Sequence, residues 1–146
     1  ALENQRLYCG LICDGAHMHP AAARIALAAR PLDRFLLVTD AMPSVGNAIK
    51  EFMLNGERIT VKNGVCVNEA GTLAGSDLDM ARAVRNTHEL GLSLRDAVAM
   101  AAANPAAFLG LGAERGMLAP GFRADFVWLD RELNVRGTWI GGKRVA

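Results

Sequence analysis

Two short apolar runs with a helical segment between them constrain the fold of this chain most. The runs are LYCGLIC at residues 7–13 and FLLVTD at residues 35–40, and both lack the apolar–polar alternation of a half-exposed strand. Between them, Pro20 can occupy the first turn of a helix, and AAARIALAAR supplies strong helix formers up to Arg30. Strand, helix and strand in this order predict a parallel βαβ unit of an α/β fold.

The composition is typical of a globular domain without a strongly charged partner. The chain has 146 residues, of which 51% are hydrophobic, and its 16 basic and 15 acidic residues give a formal net charge of +1. This balance predicts no binding to nucleic acid, and no apolar run approaches the roughly 20 residues that a membrane span requires. Cys9, Cys13 and Cys66, without a signal peptide, predict free thiols and a cytoplasmic protein.

Antiparallel strands are predicted in the middle of the chain and at its end. Asn55-Gly56 and Asn63-Gly64 are favoured two-residue hairpin turns, so a small meander is expected over about residues 50–68. Near the end of the chain, FVWLD and RGTWIGGKRV are separated by a polar turn, and they predict an antiparallel pair.

Two further helices are predicted between these strands. Ser76 with Asp79 three residues later has the spacing of a helix start, and Gly91 can end that helix. Ser93 with Asp96 repeats the same spacing. The apolar face of the second helix is predicted to consist of Leu94, Ala97, Val98 and Ala101.

Polar side chains follow both predicted parallel strands. Asp14-Gly15-Ala16-His17 comes after the first strand, and Thr39-Asp40 comes after the second. Functional groups of parallel α/β folds gather at the carboxyl ends of strands, so an acid and a histidine on neighbouring strands could share one cleft. An Asp in this position is also a common turn former or helix N-cap, and both interpretations stay open from the residues alone.

Two other segments leave alternatives open. His17 and His19 could bind one zinc ion from the same side of an extended segment, but two ligands make an incomplete site, and the end of a strand is the other interpretation. GTLAGSD at residues 71–77 could bring backbone N–H groups close to a ligand before a helix, or it is a plain loop with a cap. The motifs of serine hydrolases, P-loop proteins and zinc ribbons are absent from the sequence.

Five segments in order cover nearly the whole chain: LICDGAHMHP, FLLVTDAMPSVG, NGVCVNEAGTLAGSDLDMARAVRN, AAANPAAFLGL and RGMLAPGFRADFVWLD. Together they resemble the carboxyl-terminal part of N-acetylglucosamine-6-phosphate deacetylases, a branch of the amidohydrolase superfamily. The last segment is shared widely in the superfamily, whereas LVTDA with GTLAGS points to the deacetylase branch. The resemblance implies an α/β fold, in which residues 1–115 form the last strands and helices of a (β/α)₈ barrel with the inserted meander. Residues 116–146 would then be strands of a small β-domain.

The same resemblance implies a reaction and a set of site residues. The enzymes of this branch hydrolyse the acetamide of N-acetylglucosamine 6-phosphate to glucosamine 6-phosphate and acetate, with a divalent metal, zinc or a similar ion. The general acid/base matches Asp40, which would take a proton from the attacking water and then protonate the leaving amine. The substrate-binding positions match Asp14, Gly15, Ala16, His17, Leu73, Ala74 and Gly75.

The chain departs from this family by lacking the metal ligands, a Glu and two His from earlier barrel strands. We therefore expect the chain to be a fragment of a longer enzyme and to be inactive by itself. The complete enzyme is expected to act on an amino-sugar phosphate, and a homo-oligomer is expected. Another amidohydrolase, dihydroorotase-like or imidazolonepropionase-like, is the alternative enzyme. A non-catalytic α/β module that associates through its open sheet edge is the alternative from another class.

Overall fold

The computed structural model describes residues 2–146, and its first part is a parallel βαβ unit, as predicted. Strands β1 (Cys9–Leu11) and β2 (Phe35–Leu37) pair in parallel. Helix α1 (Pro20–Ala28) connects them, with Pro20 in its first turn, and a short 3₁₀ helix (Leu32–Arg34) leads into β2. The paired strands are shorter than the apolar runs, because the chain leaves the ladder before each polar strand end.

The second sheet contains the predicted meander and one strand more. Its strands are β3 (Glu51–Leu54), β4 (Glu57–Lys62), β5 (Val65–Val67) and β6 (Leu73–Ser76), and each pairs antiparallel with the next. The interpretation of GTLAGSD as a loop was wrong for its second half. Segment 73–76 gains its hydrogen bonds from β5 and from the chain after β2, and neither partner is visible in the local sequence.

Three helices follow, and the start of the first differs from the prediction. They are α2 (Met80–Glu89), α3 (Leu94–Ala101) and α4 (Ala103–Phe108). Asp79, and not Ser76, caps α2, because its carboxylate accepts a hydrogen bond from the backbone N–H of Arg82 at 2.8 Å. Ser93 caps α3, as predicted.

The buried face of α3 was predicted only in part. Ala97 is fully buried, and its partner in the core is Met100, which the sequence did not place on that face. Leu94 and Val98 are instead 38% and 41% exposed. Helix α3 contacts α2 and β2, and its buried residues are Ala97 and Met100, so Leu94 and Val98 lie on its exposed side.

The third sheet, at the end of the chain, has three strands where two were predicted. Strands β7 (Phe126–Leu129) and β8 (Val135–Ile140) form the expected antiparallel pair, and β9 (Lys143–Arg144) returns along β8. The Phe126 and Trp139 rings stack with their centroids 4.7 Å apart. The division into units at residue 115 stays a prediction.

The main core lies between the parallel strands and the helices, and side-chain amides fix the helices to it. The Asn104 amide donates to the carbonyls of Leu32 and Phe35, at 2.8 and 2.9 Å. The Asn86 amide donates to the Cys13 carbonyl at 2.7 Å, immediately before Asp14. Within residues 2–146, no helix has the length and apolar character to cross a bilayer. Members of the core include Leu11, Cys13, Leu27, Phe35, Leu37, Leu78, Ala83, Val84, Ala97 and Met100.

Candidate active site

The turn after β1 is built around the Asp14 carboxylate. One oxygen accepts hydrogen bonds from the backbone N–H groups of Ala16 and His17, both at 2.9 Å. Gly15, between Asp14 and Ala16, has φ +81°. The other oxygen pairs with His17 Nδ1 at 2.7 Å. Only 5% of the Asp14 side chain is exposed. Burial raises the pKa of Asp14, but the hydrogen bonds from the His17 side chain and the two backbone groups outweigh it, and the pKa lies below its ordinary value.

This arrangement fixes which nitrogen of His17 is available. Because the Asp14 carboxylate is ionised, Nδ1 of His17 carries the proton that they share. Nε2 then points the other way, and it lies 3.7 Å from Asp40 Oδ2. The two strand ends therefore bring an acid and a histidine into one site, as the sequence predicted. The Asp14 carboxylate accepts its hydrogen bonds from Ala16 and His17 within its own turn.

Asp40, after β2, has an unusual backbone. Its φ is +53°, a left-handed conformation that is unfavourable by about 1 kcal/mol for a residue with a Cβ. Its carboxylate is 52% exposed, so it is open to solvent on the side away from His17. Strain of this kind is found at functional sites when the surrounding structure holds it in place.

Strand β6 supplies that support. Ser76 donates through its backbone N–H to the Asp40 carbonyl at 2.8 Å and through Oγ to the Thr39 carbonyl at 2.5 Å. The Ser76 carbonyl accepts from the N–H of Met42 at 3.0 Å. Sequence reasoning missed this role, since Ser76 was assigned to a helix start. The only signal in the sequence was that Ser76 directly follows Leu73, Ala74 and Gly75, which the resemblance placed at the substrate.

The three preceding residues of the predicted substrate segment lie in the same strand. Leu73 is 45% exposed and Ala74 is half-buried, whereas Gly75 is buried. A Cβ on Gly75 would lie 2.5 Å from Cγ of Met42 and 3.1 Å from the Asp40 carbonyl oxygen, at a φ of +107°. Gly75 is thus required for the close approach of β6 to the chain around Asp40.

His17 and His19 do not share a site. His19 is the N-cap of α1, where Nδ1 accepts a hydrogen bond from the backbone N–H of Ala21 at 3.2 Å. His17 instead faces Asp14 and Asp40. Among residues 2–146, no group of three or more His, Cys, Asp or Glu side chains is placed to hold a metal ion. The side chains of these residues therefore do not form a complete metal site.

Comparison with known proteins identifies the family. Residues 9–145 match the profile of the amidohydrolase family. The chain belongs to this family. The resemblance that the sequence motifs indicated is therefore confirmed.

Individual relatives of this amidohydrolase chain are named as amino-sugar phosphate deacetylases. The chain is 40% identical over 98% of its length to an N-acetylgalactosamine-6-phosphate deacetylase of a Shewanella species, of which it covers 36%. It is also 40% identical to a putative N-acetylgalactosamine-6-phosphate deacetylase of Escherichia coli, and there it covers 97% of its own length and 85% of the relative. The crystal structure of the Pasteurella multocida N-acetylglucosamine-6-phosphate deacetylase superposes with a TM-score of 0.92 at 29% identity, over 99% of this chain and 38% of that one. The chain thus spans little more than a third of two of these three deacetylases.

Proposed function

We propose that this amidohydrolase chain is the acid/base and substrate-contact part of a deacetylase. The reaction is hydrolysis of the acetamide of N-acetylglucosamine 6-phosphate to glucosamine 6-phosphate and acetate. The observation that supports it best is the juxtaposition of His17 Nε2 and Asp40 Oδ2, 3.7 Å apart, at the ends of two adjacent parallel strands. Such strand ends form the active-site face of a (β/α)₈ barrel, and we propose that architecture for the complete protein.

Asp40 would move the protons. An amide is attacked by water only if a base removes a proton, and the amine leaves only after it gains one. The half-exposed Asp40 carboxylate can take the proton from the water and deliver a proton to the nitrogen in the second step. One group then serves both steps, because its state after the first step is the one that the second requires.

His17 would contact the substrate through Nε2. The hydrogen bond between Nδ1 and Asp14 fixes the ring, so Nε2 is the ring nitrogen that faces Asp40 and can contact the substrate. In this proposal Gly15 and Ala16 form the turn beside the sugar, and Leu73, Ala74 and Gly75 approach it from β6. Asp14 acts through His17, since its oxygens accept three hydrogen bonds within its own turn.

The complete enzyme would also require a divalent metal, zinc or a similar ion. When bound, such an ion polarises the amide carbonyl and lowers the pKa of water. Because residues 2–146 provide no complete ligand set, we propose that its ligands belong to the rest of the protein and that this chain alone is inactive. We also propose a cytoplasmic homo-oligomer. Side chains such as Ile25 and Leu118, 69% and 75% exposed, provide apolar surface for association.

The 4-epimer of the sugar is a second candidate substrate. The Shewanella and Escherichia coli relatives are named for N-acetylgalactosamine 6-phosphate, at 40% identity each. The two hexosamines differ only in the configuration of one hydroxyl, which is remote from the acetamide, so the same acid/base, Asp40, would serve both. The contacts that select one epimer would then lie outside Asp40 and His17.

Acetate release tests the proposal. The 146-residue chain and a form extended upstream would be incubated with zinc and each of N-acetylglucosamine 6-phosphate, N-acetylgalactosamine 6-phosphate and dihydroorotate. We expect acetate from one or both sugar phosphates, only with the extended form. Turnover of dihydroorotate alone would favour another amidohydrolase reaction. Absence of all turnover, in the extended form as well as in the 146-residue chain, would favour the non-catalytic module.

A further inference from the structure

Ser76 forms hydrogen bonds with the chain around Asp40 through both its side chain and its backbone. The residue is completely buried. Its Oγ donates to the Thr39 carbonyl at 2.5 Å and accepts from the backbone N–H of Leu78 at 3.1 Å. Its backbone N–H donates to the Asp40 carbonyl, and its carbonyl accepts from Met42. Three of these four hydrogen bonds reach the segment 39–42, which precedes it by more than thirty residues in the sequence.

The contacted segment is the one part of the site with a left-handed, non-glycine residue. Asp40 has φ +53°, and the two carbonyls that Ser76 binds are its own and that of the residue before it. These two peptide groups lie on either side of the Asp40 Cα, so their relative orientation determines the φ and ψ angles of Asp40. Ser76 therefore fixes the direction in which the Asp40 side chain leaves the backbone.

The neighbouring residue provides the space for this contact. Gly75 is buried, and a Cβ there would collide with the Met42 side chain and press on the Asp40 carbonyl. The pair Gly75-Ser76 thus combines a residue without a side chain, which lets the strands approach, with one whose side chain and backbone both bind.

From this geometry we infer that Ser76 is a positioning residue for the reaction: it holds Asp40 in its left-handed conformation, with the carboxylate directed to the space in front of His17 Nε2. The inference rests on the proposed function, in which Asp40 is the acid/base. It adds that the second sheet, through its last strand, positions a catalytic group, because Ser76 is the final residue of β6.

The first test needs no activity. Crystal structures of the 146-residue chain and of its Ser76→Ala variant would be compared at residue 40. We expect Asp40 to leave the left-handed region, or its carboxylate to move away from His17, in the variant. An unchanged Asp40 backbone and an unchanged His17–Asp40 distance would overturn the inference. If Ser76→Ala does not fold, Ser76→Cys replaces it, since a thiol of similar shape donates only weakly.

The second test uses the form of the protein that releases acetate. Ser76→Ala is expected to lower kcat by about 10- to 100-fold with little change in KM, the effect of a displaced catalytic group. Ser44→Ala is the matched control, because Ser44 is also buried and its Oγ forms a hydrogen bond with Cys66 Sγ, at 3.7 Å, and not with the chain around Asp40. That variant should retain normal kcat. Equal losses in both variants would mean a general packing role and would contradict the inference.

A double variant separates this inference from the proposed function. If Ser76 acts through Asp40, Ser76→Ala should cause no further loss of kcat in an Asp40→Asn background. If the fold-loss of kcat in the double variant equals the product of the losses in the two single variants, the positioning role of Ser76 is overturned and Asp40 remains the acid/base. Near-normal turnover of Asp40→Asn alone would instead overturn the proposed function, whatever Ser76 does.

Discussion

The two strand ends that carry the candidate site are held in place by different means. After β1, Asp14 bonds only to residues two and three positions later, and the turn contains a glycine where φ is positive. After β2, Asp40 adopts a left-handed conformation without a glycine, and its support comes from Ser76 on a strand of another sheet. One half of the site is a local turn, and the other half depends on tertiary contact.

This difference indicates where the site is sensitive to change. The hydrogen bonds of the Asp14 turn join residues two and three positions apart, whereas the hydrogen bonds of Ser76 to the chain around Asp40 join segments more than thirty residues apart. The geometry of Asp40, the proposed proton-transfer group, thus depends on contacts with the second sheet, whereas His17 beside it is held by its own sequence neighbours.

The largest expected effect is the loss of kcat when the carboxylate of Asp40, in the tertiary half of the site, is replaced. Asp40→Asn keeps the shape but cannot accept a proton, so kcat of the active form should fall by about 10²- to 10⁴-fold with KM little changed. The measurement is steady-state acetate release. Asp33→Asn, at an exposed carboxylate outside the site, is the control. Near-normal turnover of Asp40→Asn would remove it from the mechanism.

The next effect tests the docking of β6 itself. Gly75→Ala should lower the free energy of unfolding by about 2–4 kcal/mol, because the new methyl group meets Met42 and the backbone conformation is left-handed. Gly71→Ala is the matched control: its φ is +82°, but nothing lies within 4 Å of the added Cβ. Its loss should be smaller by about 1–3 kcal/mol, as measured by urea denaturation. Equal losses in the two variants would mean that the close approach is not tight.

A smaller effect distinguishes the two histidines of the local half. His17→Ala should lower kcat/KM by about 10- to 100-fold, the effect of leaving a substrate group without its hydrogen-bond partner. It should also lower the melting temperature, because the buried Asp14 carboxylate loses the His17 ring. His19→Ala should leave kcat/KM unchanged and lower the free energy of unfolding by about 0.5 kcal/mol, since it removes a helix cap. Reversal of the two outcomes would return His19 to the candidate site.

The smallest effect is a pH dependence at Asp14. The folded-state pKa of Asp14 is below its ordinary value of 3.8, so its hydrogen bonds stabilise the fold fully above that pH and less as the pH falls through the folded-state pKa. Unfolding free energies of the wild type and of Asp14→Asn, measured from about pH 5 to about pH 2, should therefore converge at the acid end. A difference that stays constant with pH would contradict this account of the turn.

The elements that depend on local contacts or on general rules of topology could be predicted from the sequence. The apolar runs with a helix between them determined the parallel pair, and the rule that strand ends gather functional groups brought His17 and Asp40 together. Asn55-Gly56 and Asn63-Gly64 predicted the hairpins, whose turn residues all have positive φ. In each case the deciding interaction lies within a few residues or follows a general rule of topology.

The tertiary half could not be predicted from the residues alone, for a physical reason. Strand β6 has two glycine or alanine residues among its four, so its sequence has low strand propensity, and its pairing partners are distant in the chain. Ser76 and Asp79 both have the chemistry of a helix cap, and only the docking of β6 decides between them. His19 was missed as a cap because a histidine side chain is seldom found in that role.

The central claim is that Asp40 and His17 face one substrate, and a crystal structure tests it most directly. The Asp40→Asn variant of the active form would be crystallised with N-acetylglucosamine 6-phosphate, which it should bind without turnover. We predict that the acetamide group lies within about 3.5 Å of both the residue 40 side chain and His17 Nε2. A sugar phosphate bound with its acetamide remote from these two side chains would contradict the account.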